Sequence, residues 1–259
     1  PRDGGAQWVQ VFDVQVHGDC ALGPVQQKRF FEEAFLECWH GHTENDGLNR
    51  LVLLAGLNSR QIVCLRTLTK YLVQTGLPYS QGYMEQLLAD HARIARSLVQ
   101  LFEIRFDPAV SDERRKNEGI TLAQTLDHQL DQVASLDADR VLRAFLSVVR
   151  AGLRTNFYQP DAAGRDKSYV SLKLDPSQVS ELPPPLPMYE TFVYSPQMEG
   201  IHLRGGPVAR GGLRWSDRRE DFRTEVLGLV KAQMVKNAII VPVGAKGGFV
   251  LKRGNPADR

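Results

Sequence analysis

The last quarter of the chain contains a short motif whose glycines and arginines are suited to binding an anion. Gly211 and Gly212 form a pair between Arg210 and Arg214. Because glycine has no side chain, the pair lets the backbone come close to a ligand or to another strand. The flanking guanidinium groups can each hold a carboxylate through two parallel hydrogen bonds. The motif therefore predicts a carboxylate-binding segment, although a glycine turn with solvated arginines would have the same sequence.

Two further donors lie on a helix that the spacing predicts over residues 220–238. At about 100° per residue, Phe222 and Val226 share an apolar face, Gln233 falls in its middle and Lys236 at its margin. Burying an amide beside an ammonium is unfavourable unless both find partners. Because the two residues are three apart, they can hold one carboxylate together. The alternative is a helix end at which both groups reach water.

The third feature is the sequence Gly-Ala-Lys-Gly-Gly at 244–248, which follows a predicted apolar strand at 239–243. It matches neither the phosphate-binding loop Gly-x-x-x-x-Gly-Lys-Ser/Thr nor the dinucleotide fingerprint Gly-x-Gly-x-x-Gly. A lysine enclosed by glycines has backbone packed closely around it. Lys246 is therefore a candidate general acid or base, while a surface turn with a solvated lysine is the alternative.

The elements that must position these residues fall into two classes. Apolar residues recur at helical spacing from about residue 25 to residue 149, and no fixed-length repeat is present, which favours a compact bundle. The predicted helices cover 46–55, 59–75, 80–104, a segment before Gly41, a segment beginning after Ser111, and a last one that Asp137 caps and that includes Gly152 and Leu153. Strands are predicted at 8–16, 169–174, 189–194, 200–204 and 239–243.

Composition and charge exclude several classes of protein. Hydrophobic residues make up 42% and charged residues 24% of the chain, which is typical of a globular protein. The apolar runs are too short for a membrane span. Three cysteines without a CxxC pattern favour a reducing cytoplasm over a disulfide framework. Cys38, His40 and His42 are spaced so that three ligands at a helix end do not converge well, and the usual second pair of ligands is missing, so we expect no metal site.

The basic charge is concentrated near the end of the sequence. Residues 201–259 contain 12 Lys/Arg and 5 Asp/Glu, against net +2 for the whole chain. This asymmetry predicts an anionic partner, or else a solvated basic face. A nucleic acid is disfavoured, because the charges interleave with acids and glycine turns rather than with an aromatic platform.

Together the three motifs resemble the substrate-binding segment of the glutamate dehydrogenase family. The run from Gly211 to Glu225 and the sequence Val-Lys-Asn-Ala at 235–238 resemble the large bacterial NAD-specific enzymes of that family, as does the stretch 44–51. The resemblance implies an α+β fold, with an all-α helical domain followed by an incomplete α/β substrate-binding domain of the amino acid dehydrogenase type. It implies three segments: 1–22 as the end strand of an ACT-like module, 23–158 as the helical domain, and 159–259 as part of the catalytic domain.

The same resemblance implies a role for each candidate residue. Lys246 matches the catalytic lysine, which polarises the 2-oxo group and the attacking water. Gln233 and Lys236 match the residues that hold the substrate α-carboxylate. Arg210, beside Gly211, stands where the family usually has a lysine that binds the γ-carboxylate, a change that keeps the charge and alters the reach.

The expected reaction is NAD-dependent oxidative deamination of L-glutamate to 2-oxoglutarate and ammonia by a cytoplasmic homo-oligomer. Because no residue here forms a nucleotide site, NAD is expected on a downstream domain and the chain alone is expected to be inactive. One alternative is a helical regulatory or oligomerisation module with a non-catalytic sheet. Another is a dehydrogenase for an apolar amino acid, which Arg210 argues against because its guanidinium would lie unpaired in an apolar pocket.

Overall fold

A computed structural model describes residue 11 and residues 23–180, 182–236 and 244–254. Apart from residue 11, the strands predicted at 8–16 and 239–243 lie outside these residues. The helices are α1 (Pro24–Trp39), α2 (Leu51–Leu54), α3 (Ser59–Val73), α4 (Gln81–Asp90), α5 (Ala92–Phe106), α6 (Asp112–Asp131), α7 (Leu136–Ala151) and α8 (Phe222–Lys236). The prediction of successive helices followed by a sheet is confirmed, with no described helix long and apolar enough to cross a bilayer.

Capping side chains set several helix boundaries. Ser111 begins α6 as predicted, because its hydroxyl accepts a hydrogen bond from the backbone N–H of Arg114. The prediction that Asp137 caps α7 is wrong, since Ser135 accepts from Ala138 and Asp137 lies in the first turn. The single helix predicted over 80–104 is two helices, because the backbone leaves the helical conformation at His91.

The strands form one six-stranded sheet in the order β1-β2-β3-β4-β6-β5. They are β1 (Gly152–Thr155), β2 (Val170–Leu174), β3 (Tyr189–Tyr194), β4 (Met198–Arg204), β5 (Leu213–Trp215) and β6 (Ala245–Leu251). All neighbours run antiparallel except β5 and β6, which are parallel. β1 is absent from the sequence prediction, which places Gly152 and Leu153 on the last helix, whereas that helix ends at Ala151.

One face of the sheet packs against the helices and closes a single hydrophobic core. Leu172, Phe192 and Leu203 are at most 1% exposed on this face. Tyr71 of α3 meets Phe192 edge-on, with ring centroids 5.6 Å apart. Residues on the opposite face, such as Val193, stay partly exposed. The core is therefore shared between the helical region and the sheet rather than divided between two separate units.

Two buried ionic networks reinforce this shared core. Within the helical region, Arg66 is fully buried and donates to Asp46, Asn49 and Thr43 at 2.5–2.8 Å. Between the helical region and the sheet, Glu44 accepts from the Tyr194 hydroxyl at 2.9 Å and pairs with the Lys252 ammonium at 2.9 Å. Such pairs fix the geometry of a core because each buried charge needs its partner.

Candidate functional site

Lys246 lies on β6, between β4 and β5. It is half-buried and stands opposite Leu203 of β4, which is fully buried on the helix-facing side. Because directly opposed residues of two strands point to the same face, the Lys246 side chain leaves the sheet on the side covered by helices. The alternative of a surface turn at 244–248 is wrong, since β6 begins at Ala245.

The glycines around Lys246 allow neighbouring groups to pack against the strand. A Cβ atom at Gly248 would lie 2.5 Å from Cγ2 of Val226 on α8, and one at Gly244 would lie 2.9 Å from Oε1 of Gln233. Residues 244, 246 and 248 alternate along the strand and so share one face. The Cβ of Lys246 therefore points toward the side of β6 that α8 covers, between the positions that meet Gln233 and Val226.

The segment with Arg210 and Gly211 runs alongside β6. The N–H of Ala245 donates to the Arg210 carbonyl at 3.2 Å, and the N–H of Gly247 donates to the Gly212 carbonyl at 3.0 Å. A Cβ atom at Gly211 would lie only 1.3 Å from the carbonyl oxygen of Ala245. The close backbone approach expected of the paired glycines is thus present, and it is made to β6. The Arg210 side chain is exposed.

Gln233 joins α8 to this segment. Its amide nitrogen donates to the Arg210 carbonyl at 2.9 Å, while its Oε1 atom is buried and has no hydrogen-bond partner among the described residues. An amide has two N–H groups, so the bond to Arg210 leaves one donor for a ligand. Lys236 is the last residue of α8, three residues after Gln233, and its side chain lies outside the described part.

The structure thus brings Arg210, Gly211, Gln233 and Lys246 together in one helix-on-strand unit. The arrangement places Lys246 on the covered face of the sheet, near the partly satisfied amide of Gln233, while the Arg210 side chain is exposed. A partly buried lysine beside neutral donors is suited to polarising a carbonyl oxygen, and the neighbouring donors are suited to holding a carboxylate.

The residues that fix the start of α8 were not predicted from the sequence. Arg223 is 2% exposed and pairs with the fully buried Glu190 of β3. Burial alone would lower the pKa of the Arg223 guanidinium, but hydrogen bonds to Glu190 and its charge raise it. In the sequence, Arg223 follows the apolar Phe222 by one residue and so falls off the apolar face, where an arginine is usually solvated. No spacing signal marked it.

Two other kinds of candidate site in the described residues have weaker support. No three His, Cys, Asp or Glu side chains of the described ranges come together in a way that could hold a metal ion. A groove of about 750 Å³ lies between α5 and α6, lined by residues such as Glu103, Asp107 and Arg114. None of its lining residues belongs to the sheet or to α8, so the groove is separate from the lysine-containing unit.

Comparison with known proteins identifies two matching family models. Residues 125–259 match the model described as the catalytic domain of bacterial NAD-glutamate dehydrogenase. Residues 43–108 match the model described as helical motif 3 of glutamate dehydrogenase. The first match begins within α6 and continues through the whole sheet.

Several curated proteins are similar over most of the chain. An NAD-specific glutamate dehydrogenase of Mycobacterium tuberculosis is 50% identical over 98% of the chain, which is 16% of that relative's length. A protein of the same name from Halomonas elongata is 51% identical over 95% of the chain and 15% of the relative. A third, from Neurospora crassa, is 28% identical over 67% of the chain and 18% of the relative. The chain therefore spans less than a fifth of the length of these relatives.

Proposed function

Because the chain belongs to the bacterial NAD-glutamate dehydrogenase family, we propose that the full-length protein interconverts L-glutamate and 2-oxoglutarate plus ammonia using NAD, and that this chain supplies part of the substrate site. The observation that carries the proposal is the position of Lys246. It is half-buried on the covered face of β6, next to the strand position that meets Gln233. A lysine placed there can reach a substrate bound at the end of α8.

The chain's own residues divide the binding of a dicarboxylate between them. Gln233 and Lys236 bind the α-carboxylate, with one neutral and one charged donor. Arg210 binds the γ-carboxylate, and the backbone at Gly211 can lie close to the substrate because no side chain intervenes. These are ground-state interactions, because both carboxylates carry their charge before and after the reaction.

Lys246 acts on charge that changes during the reaction. Its ammonium donates a hydrogen bond to the 2-oxo oxygen and so stabilises the negative charge that develops there. In the deamination direction, water adds to C2 of the iminium form of the substrate, and the amine form of Lys246 accepts the proton that this water loses. The half-buried position limits the water around Lys246, which strengthens both interactions.

The glycines that follow Lys246 do not form a site for the dinucleotide. The glycines at 247 and 248 are filled by packing, because a Cβ atom there would lie 2.1 Å from Leu213 Cδ2 and 2.5 Å from Val226 Cγ2 respectively. They lie within β6 and do not open a helix, so they form no cradle for a pyrophosphate. We therefore propose that NAD binds outside the described residues.

Two substitutions in the full-length protein test the assignment. Lys246→Ala should lower kcat by about 10²–10⁴-fold, the usual effect of losing a positioned proton-transfer group. Lys236→Ala should instead raise KM for glutamate strongly, because the α-carboxylate loses its charged partner. Lys231→Ala, at an exposed position of the same helix, is the control for charge alone and should change neither constant. Near-normal kcat in Lys246→Ala would contradict the catalytic role.

We further propose a cytoplasmic homo-oligomer. The described cysteines, Cys38 and Cys64, are free thiols, which fits a reducing compartment. An aromatic stripe on α1, formed by Phe31, Phe35 and Trp39, is 37–75% exposed and supports association with another surface. Light scattering of the full-length protein measures its oligomeric state, and a monomer at micromolar concentration would contradict the proposed homo-oligomer.

A further inference from the structure

Three fully buried polar side chains from three elements meet where α8 begins. Glu190 of β3 accepts from Nε of Arg223 at 3.1 Å, and its second oxygen pairs with the same guanidinium. The hydroxyl of Tyr71 on α3 donates to Glu190 at 2.8 Å. None of the three side chains is more than 2% exposed. Burial and the charge of Glu190 raise the pKa of Tyr71 well above its usual value, so the phenol remains a donor.

A fourth residue ties α3 directly to the first turn of α8. Gln74, immediately after α3, is 3% exposed. Its amide nitrogen donates to the Arg219 carbonyl at 3.0 Å, and its amide oxygen accepts from the Arg223 N–H at 3.2 Å. Free N–H groups at a helix N-terminus normally bond to local caps or water. Here a distant helix supplies one partner, which fixes the position of α8 relative to α3.

The other end of α8 carries the proposed carboxylate-binding residues. Gln233 lies ten residues after Arg223, about 15 Å along the helix at 1.5 Å per residue. Between them Val226 packs against Gly248 of β6. An intact helix transmits a displacement at its start to its end with little loss. A change in the position or tilt of α8 at Arg223 would therefore move Gln233 over β6.

We propose that Tyr71, Gln74, Glu190 and Arg223 form a clamp through which the helical region sets the position of α8, and thereby of Gln233 and Lys236, for binding the substrate α-carboxylate. These four are positioning residues and do not touch the substrate. The inference rests on the proposed function for its link to substrate binding. The clamp also gives the helical region a part in substrate binding, because two of the four residues lie on or next to α3.

If the four clamp residues only stabilised the fold, apolar residues at the same positions would serve equally well. Buried ion pairs can often be replaced by apolar residues without loss of stability, because desolvation offsets most of their attraction. What an apolar cluster lacks is directionality. The bidentate Arg223–Glu190 pair and the reciprocal Gln74 bonds fix one distance and one angle, which is what a helix that presents binding groups requires.

The test compares two buried arginines of the full-length protein. Arg223→Lys removes the planar fork from the clamp but keeps the charge. Arg66→Lys does the same to an equally buried arginine, whose described partners all lie in the helical region. Both variants should lower Tm. Only Arg223→Lys should raise KM for glutamate, by about 3- to 30-fold, while kcat falls less. An equal rise in both variants, or in neither, would overturn the proposal.

Hydrogen exchange gives a readout that does not depend on activity. Backbone amides of α8 around residues 226–233 should exchange faster in Arg223→Lys than in Arg66→Lys. Unchanged exchange in α8 would refute the clamp even if the protein proved not to be a glutamate dehydrogenase. Faster exchange without a change in KM would refute its link to substrate binding.

A milder pair serves if Arg223→Lys does not fold. Gln74→Leu removes both bonds from α3 to the start of α8. Gln61→Leu is the matched control at the other end of α3, where the Gln61 side chain bonds to Glu103 of α5 at 2.8 Å and to the N-cap backbone of Asn58. The proposal requires that Gln74→Leu, and not Gln61→Leu, raise both KM and the exchange rate of α8.

Discussion

At the scale of single residues, two adjacent glycines of the site differ sharply in their surroundings. A Cβ atom at Gly211 would lie 1.3 Å from the Ala245 carbonyl oxygen, whereas one at Gly212 would have no heavy atom within 4 Å. A side chain at position 211 must therefore displace the backbone of β6, whereas one at position 212 extends into open space. This contrast separates steric loss from any general effect of replacing glycine.

Gly211→Ala should destabilise the protein by at least about 1–3 kcal/mol, the usual range for forcing atoms into a packed site. It should also raise KM, because the segment with Arg210 must move away from β6. Gly212→Ala should change the stability and KM far less. Urea unfolding and steady-state kinetics of the two variants provide the comparison. Equal losses would mean that backbone flexibility, rather than close packing against Ala245, is what the pair supplies.

Gln233 shows how far residue types alone could predict this site. Its place on the face of the helix that packs against the sheet was correctly derived from spacing. Its hydrogen-bond partner, the carbonyl of Arg210, could not be derived, because it lies 23 positions away and the sequence between gives no information on how the chain returns. The Arg223–Glu190 pair is a stronger case, since its two members lie 33 positions apart on different elements.

At the scale of elements, local signals predicted most helices and three of the strands. Capping serines and apolar periodicity are properties of a few consecutive residues, so α6 and β3 were placed closely. The strand β1 was missed because Gly152 and Leu153 continue the apolar pattern of α7. Only pairing with β2, between Gly152 and Leu174, makes this segment a strand. The strand β6 was missed because its glycines resemble a turn. As with β1, only pairing with neighbouring strands makes this segment a strand.

Glycines inside helices allow a test of element stability. Gly228 of α8 is exposed, and an added Cβ atom would have no neighbour within 4 Å. Gly228→Ala should therefore stabilise the protein by about 0.5–1 kcal/mol, because alanine loses less backbone entropy in a helix.

Two other glycines provide comparisons, one where alanine should stabilise the protein and one where it should destabilise it. At Gly119 of α6 the new Cβ atom would make an ordinary contact, 3.6 Å from Ile104 Cγ2, so Gly119→Ala should also stabilise. At Gly152 it would lie 2.6 Å from Phe106 Cζ, so Gly152→Ala should destabilise. Thermal unfolding of the three variants tests the order. A loss of stability in Gly228→Ala would show that α8 is held by contacts beyond those described.

At the scale of the whole molecule, the helical region and the sheet act as one folded body in the described ranges. The predicted boundary between residues 158 and 159 remains a prediction, but the sheet already begins at Gly152, and the catalytic-domain match begins at residue 125. Tyr71, Gln74 and Glu44 all reach from the helical region to the sheet or to α8. Long-range hydrogen bonds of this kind predict that the two parts lose their structure together.

Glu44 makes that coupling dependent on pH. Burial would raise the pKa of its carboxyl group, but the charges of Lys252 and Lys70 and the Tyr194 hydroxyl lower it below the usual 4.5. The unfolded chain then takes up the proton first as the pH falls. The stabilisation from Glu44 is therefore complete above about pH 4.5, and it is lost as the pH falls through the native pKa.

Glu44→Gln should lower the free energy of unfolding at pH 7 and make it fall less steeply below pH 4.5, because the titrating group is gone. Glu118→Gln is the control, since Glu118 also has a lowered pKa but pairs with Arg114 at the exposed surface of α6. Salt should weaken the contribution of Glu118 to stability and largely spare that of Glu44, whose partners are mostly buried.

Denaturant unfolding between pH 3 and pH 7, followed separately by probes in the helices and in the sheet, provides the measurement. If the helices and the sheet of Glu44→Gln unfolded at the same denaturant concentrations as in the wild type at every pH, the pairing of Glu44 with Tyr194 and Lys252 would contribute nothing to holding the two parts together.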